Sequence, residues 1–173
     1  WEEGYGRNRG AVRALEGQGA SLSGTGDGGM TALEEAAWAR SLGMDVVITD
    51  HHECKSGRPA AQAVVDPRRS DCPSACKGLA GVGVALKLAM AINGPEGDGD
   101  VLADYCDLAA VGTVAAVMPM TGKHRPIVRP GLEEPRQPRR LSLALPLRGA
   151  GAEDHAIPSP SPGSLPVFTP PEL

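Results

Sequence analysis

Asp45-Val46-Val47-Ile48-Thr49-Asp50-His51-His52 joins a β-branched apolar run to a polar triplet. The run Asp45 to Thr49 is too short for a helix, β-branched from Val46 on, and apolar at the consecutive positions Val46 to Ile48. It therefore predicts a strand buried on both faces in a parallel sheet. Upstream, Thr31-Ala-Leu-Glu34 fits a capping box, with the Thr31 hydroxyl facing the third helical amide and Glu34 reaching back. Leu33, Ala36, Ala37 and Arg40 recur at helical spacing, and Gly43 stands where a left-handed C-terminal cap belongs. Helix followed by buried strand is half of a βαβ unit.

Downstream, Ala63-Val64-Val65 is a second extended run that ends at Asp66-Pro67. Gly78 to Ile92 reads as an apolar helix with three glycines in its first turns, a choice that costs propensity but allows close backbone approach. A further helix is predicted from an Asp100 cap through Leu102, Tyr105, Cys106 and Ala109. Ser21-Leu-Ser-Gly-Thr-Gly26 has one apolar side chain, a degraded version of a central parallel strand. The class is α/β, a mainly parallel sheet flanked by helices.

Composition narrows the function. The 173 residues and 17.8 kDa allow one core. A 41% hydrophobic and 22% charged chain is too apolar to be wholly disordered. Lys+Arg 17 against Asp+Glu 21 gives a net charge of -4, so phosphate contacts must be local or made through a bound cation. Gly81 to Ile92, the longest nearly apolar stretch, is interrupted by Lys87 and falls short of the roughly 18 residues of a bilayer span, which predicts no membrane contact. Trp1 stands in place of an initiator Met and Trp-Glu-Glu-Gly-Tyr-Gly is no signal peptide, so the chain reads as a piece of a longer, cytoplasmic protein. Cys54, Cys72, Cys76 and Cys106 are then expected as reduced thiols. Ten of the 16 prolines lie between Pro130 and Leu173, which places the end of the ordered part near Leu132.

In open α/β sheets reactive groups gather beyond the carboxyl ends of the strands. Asp50, His51 and His52 sit there. They can supply a metal ligand, a group that fixes the ligand's tautomer and a donor to a bound anion. The alternative is a polar loop with two exposed histidines. Cys72-x3-Cys76, with Cys54 and His52 upstream, is open to a zinc reading or to that of small thiols in a loop. Arg68 and Arg69, with Arg58 and Lys77, form a basic group that either grips phosphates or is a solvated loop face. Gly81-Val-Gly83 lacks the third glycine of a dinucleotide fingerprint, which favours helix packing. With only five aromatic residues (Trp 2, Tyr 2, Phe 1) to stack on bases, backbone recognition fits better.

Val46 to Ile92 resembles the core of the RecJ-type single-stranded-DNA exonucleases of the DHH phosphoesterase superfamily. The resemblance rests on Asp50-His51-His52, Asp66-Pro-Arg-Arg69, Asp71-Cys-Pro73 and Gly81-Val-Gly-Val-Ala85, continues through Tyr105 to Met120 and Gly122 to Arg125, and includes Glu3 to Asn8. It implies two divalent cations, Mn2+ or Mg2+, and metal-dependent hydrolysis of single-stranded DNA in recombination and repair. By position, His51 and Asp27 would be metal ligands, Asp50 the neighbour of His51, and His52 the contact to the scissile phosphate. As part of the basic group around the predicted cleft, Arg68 and Arg69 are the expected substrate-binding residues. Two departures go against full activity. The family's first Asp-x-Asp would precede Trp1, and Ala116 stands where a last ligand Asp is expected. A methyl group cannot coordinate a hard cation. The expectation is a partial DHH phosphoesterase domain over 1–132, weakly active or inactive, with a Pro-rich tail over 133–173, either a linker or the product of a reading-frame slip. The other reading is a non-catalytic nucleic-acid or protein interaction module with the same fold. Protein partners and oligomeric state are not specified by these residues.

Overall fold

The structure is a computed structural model that describes residues 8–54, 57–118 and 125–133. The stretches Glu3 to Arg7, Pro119 to His124 and 134–173 lie outside the described residues, so the Pro-rich tail, the Gly122 to His124 pattern and most of the Glu3 to Asn8 resemblance do too. The chain divides into two compact units between Ala85 and Leu86.

The first unit contains α1 (Arg9–Gly17), β1 (Leu22–Gly26), α2 (Leu33–Ser41), β2 (Asp45–Thr49), β3 (Ala63–Val65) and the start of α3 (Gly81–Asn93). The three strands are parallel in the order β1-β2-β3. The apolar run forms the middle strand, where Val46 and Ile48 are fully buried, Thr49 is buried and Val47 half-buried. Around it pack Val12, Met30, Ala36, Ala39, Met44 and Val64. A side chain the size of Ile48 contributes about 1.5–3 kcal/mol by leaving water.

Two expectations for α2 are corrected. The capping box does not form. Helix α2 is capped by Ala32 with no side-chain bond, one residue later than Thr31 would require. The preceding turn is closed instead by the Ala32 N–H donating to the Gly29 carbonyl (3.1 Å), and Glu34 pairs with Arg9 (3.0 Å) on the surface. The buried positions of α2 are Ala36 and Ala39, while Ala37 is exposed. Ser21 to Gly26 does hold a strand, β1, and among the described residues it is an edge of the sheet. That position tolerates its exposed Leu22 and two glycines. The C-terminus of α2 follows expectation: Gly43 is left-handed (φ 80), its N–H donates to the Arg40 carbonyl (3.0 Å) and the Met44 N–H donates to Ala39 (3.1 Å). This Schellman arrangement drops Met44 into the core.

The second unit holds the rest of α3, then α4 (Asp98–Ala115) and α5 (Arg125–Glu133). The N-cap of α4 is Gly97 rather than Asp100, and Asp98 and Asp100 instead lie in the first turn, where negative charge suits the helix dipole. The helix continues past Ala109 to Ala115, with Ala116 as an exposed C-cap. Helix α5 comes so close to α4 that a Cβ on Gly131 would enter the Cys106 carbonyl. Among the described residues no helix is long and apolar enough to cross a membrane.

Candidate metal centre at the strand tips

Parallel pairing brings the carboxyl ends of β1 and β2 side by side, with Gly26 opposite Thr49. The Thr49 hydroxyl donates to the Thr25 carbonyl (2.6 Å), and the Asp27 N–H donates to the Thr49 carbonyl (3.0 Å). Asp27 then turns the chain in the left-handed region (φ 75), which a short polar side chain tolerates better than most.

Asp50 is the buried hub, 1% exposed. Its Oδ2 accepts the Met30 N–H (3.0 Å). Its Oδ1 accepts the backbone N–H of His51 (2.7 Å) and of His52 (3.1 Å), and lies 2.6 Å from His52 Nδ1. Burial pushes the carboxyl up, but the bonds from Met30, His52 and His51 outweigh it and hold the group below the ordinary Asp range. An ionised carboxylate only accepts, so His52 Nδ1 carries the proton in this bond, and its Nε2 offers a lone pair in the neutral ring or an N–H to an anion in the imidazolium.

His51 Nε2 lies 3.1 Å from Asp27 Oδ1, with the imidazole largely buried and the carboxylate half-exposed. The two histidine rings are 4.6 Å apart and tilted by 55°. One ligand atom from each of Asp27, His51 and His52 falls within 4.8 Å of the others. Neighbouring ligands of an octahedral ion at about 2.1 Å are about 3.0 Å apart, so the His51–Asp27 spacing fits a divalent cation. The donor set is mixed: a carboxylate suits hard cations such as Mn2+ and Mg2+, and an imidazole binds first-row divalent metals.

Asp66 ends β3 one residue past the Thr49–Val65 pair, level with Asp50. It is 2% exposed. One oxygen accepts the Arg68 N–H (2.7 Å), while Oδ2 is buried without a partner, as is His51 Nδ1. Burial raises its pKa, and the Asp50 charge adds to the shift. In the sequence Asp66 opens the Asp66-Pro-Arg-Arg69 segment. The signal it carried was that of Asp50, a carboxylate directly after an extended run.

Arg68 and Arg69 differ in their contacts. The Arg69 guanidinium is bonded to both oxygens of Asp71 and to the Val64 carbonyl. Lys77 donates to the carbonyls of Arg69 (3.1 Å) and Cys72 (2.7 Å). The Arg68 side chain is exposed. With Arg58, Arg69 and Lys77 it lines an open cleft of about 1060 Å³. The cysteines are free thiols and the metal-capable cluster among the described residues contains none of them, so the geometry lends nothing to the zinc reading.

The fold and the site define a parallel α/β domain with a histidine and carboxylate cluster able to hold a cation at its strand tips. Residues 7–113 match the DHH family, N-terminal domain, and the chain belongs to that family. It is 44% identical over 143 residues to the single-stranded-DNA-specific exonuclease RecJ of Bacillus subtilis, covering 83% of this chain and 18% of that protein. With RecJ of Escherichia coli it shares 37% over 142 residues, 76% of this chain and 25% of that one. The crystal structure of exonuclease RecJ bound to manganese superposes with a TM-score of 0.76 at 33% identity, over 90% of this chain and 39% of that one. RecJ in complex with Mn2+ from Thermus thermophilus gives 0.70 at 31%, over 83% and 22%. The chain thus spans about a fifth to a quarter of the curated relatives it matches.

Proposed function

We propose that this chain is the metal-binding part of a RecJ-like exonuclease domain that hydrolyses single-stranded DNA, working in recombination and repair in the cytoplasm. The observation that carries this is the Asp27 Oδ1–His51 Nε2 pair, 3.1 Å apart beside His52 at the tip of the buried strand. His51 and Asp27 hold the cation, Mn2+ or Mg2+. When bound it supplies Lewis acidity toward a phosphodiester and lowers the pKa of a water. Asp50 is the positioning carboxylate. It fixes the backbone of the triplet and orients His52 so that Nε2 faces the scissile phosphate. Arg68 contacts a phosphate along the cleft, while Arg69 holds the wall of that cleft in place.

Among the described residues Asp27 and His51, with His52 turned to the phosphate, make a thin set for two cations, and Ala116 adds none, so hydrolysis by this chain is weak. That observation also favours a second reading, a module that kept the fold and binds DNA or protein without cutting. Incubating the full chain with labelled single-stranded DNA and Mn2+ separates the two. Release of nucleotides that disappears in His51→Ala supports the exonuclease. A folded chain that binds the strand and leaves it intact at millimolar Mn2+ supports the module.

A further inference from the structure

We infer that Gly81 is a positioning residue for the cation site, because the side chain it lacks is the space in which the Asp27 carboxylate lies. Gly81 is buried at the first position of α3. A Cβ built on it would stand 2.6 Å from Asp27 Cβ and closer still to Cγ and Oδ1. Rotating the carboxylate cannot relieve such a clash, since Cβ is fixed by the backbone. The Asp27 backbone is itself fixed, by its bond to the Thr49 carbonyl and its left-handed turn. The oxygen that would be displaced, Oδ1, is the one facing His51 Nε2. The start of α3 also offers a favourable field to a carboxylate, because unpaired amides give a helix a positive N-terminal end.

Neighbouring glycines do not share this role. A Cβ on Gly26 or Gly28 would meet open space, and one on Gly83 would meet the buried Leu79 side chain at Cδ1 (2.7 Å) and Cγ (2.8 Å), away from Asp27. Gly83 therefore serves helix packing, whereas Gly81 sets where Asp27 can stand. The inference rests on the proposal that Asp27 and His51 form the cation pair.

The test is Mn2+ titration of the full chain, read by the electron paramagnetic resonance signal of free Mn2+ and by broadening of the histidine ring signals. Gly81→Ala is expected to weaken the Kd by about tenfold or more, as losses of outer support commonly do, and to reduce broadening at His51. Gly83→Ala is expected to bind like the parent. Equal affinity and equal broadening in Gly81→Ala would overturn the inference. Melting in an Asp27→Gly background supplies a readout independent of metal. There Gly81→Ala should cost nothing, while in the parent it lowers Tm by several degrees or prevents folding. The same loss in both backgrounds would also overturn it. A parent chain that takes up no Mn2+ defeats the functional proposal instead, and the melting comparison still decides the role of Gly81.

Discussion

Replacing Asp50 by Asn tests the hub directly. The amide keeps the shape and one oxygen. If that oxygen stays with the three donors of His51 and His52, the amide NH2 faces the Met30 N–H, and two donors meet in a buried place. Leaving the Met30 N–H without an acceptor costs about 1–3 kcal/mol. Loss of the charge weakens the three remaining bonds, since a charged acceptor is worth roughly twice a neutral one. Together the change should cost about 3 kcal/mol, or about 2 M in urea midpoint for a slope near 1.5 kcal/mol/M. Tryptophan fluorescence can follow it, because Trp38 packs against the core that Met30 completes. The pH dependence supplies a second readout. The folded Asp50 carboxyl lies below its unfolded value of about 3.9. Its stabilisation is therefore fully present above that pH and is lost as pH falls through the depressed folded value. Asp50→Asn should lack this acid loss. A midpoint within about 0.5 M of the parent at pH 7 would refute the hub, given the slope above.

Asp66 has the opposite sign. Its folded pKa is raised, so the folded state gains a proton first and stability rises as pH falls from neutral through that raised value. Asp66→Asn should flatten this rise between pH 7 and 4 in urea titrations, and an unchanged profile would show that the buried carboxyl is not its source. Ile48→Ala removes a fully buried side chain from the middle strand and should cost about 2–5 kcal/mol in equilibrium unfolding. A loss below about 1 kcal/mol would mean that β2 is not central to the core. Arg69→Ala should lower Tm through loss of the Asp71 and Val64 bonds. Arg68→Ala should leave Tm unchanged, weaken binding of single-stranded DNA and reduce the salt slope by about one. The reverse outcome for the two arginines would remove Arg68 from the proposed cleft contact.

The parts of this molecule legible in its sequence are those fixed by a single element. Val46 to Thr49 can only be buried as a strand, and Gly43 ends α2 because a left-handed residue is needed there. Asp50, His51 and His52 are adjacent in the chain, so their gathering at one tip needs no tertiary knowledge. The rest depends on neighbours that are distant in sequence. Whether Thr31 caps α2 depends on how the chain leaves the Asp27 to Met30 turn, and Ala32 takes the cap because the turn closes on Gly29. The strand β1 looks degraded until it is known to lie beside β2 with its other edge unpaired among the described residues. Arg68 and Arg69 are indistinguishable as letters, and separate only when β3 presents the Val64 carbonyl to one of them. Asp27 shows the same limit at the site itself. A glycine-rich loop gives it no context, and its carboxylate occupies space left open by a glycine 54 positions later. The proposed cation pair is thus set by three segments, the β1 turn, the end of β2 and the start of α3, and a change at any of them should reach the other two through Asp27.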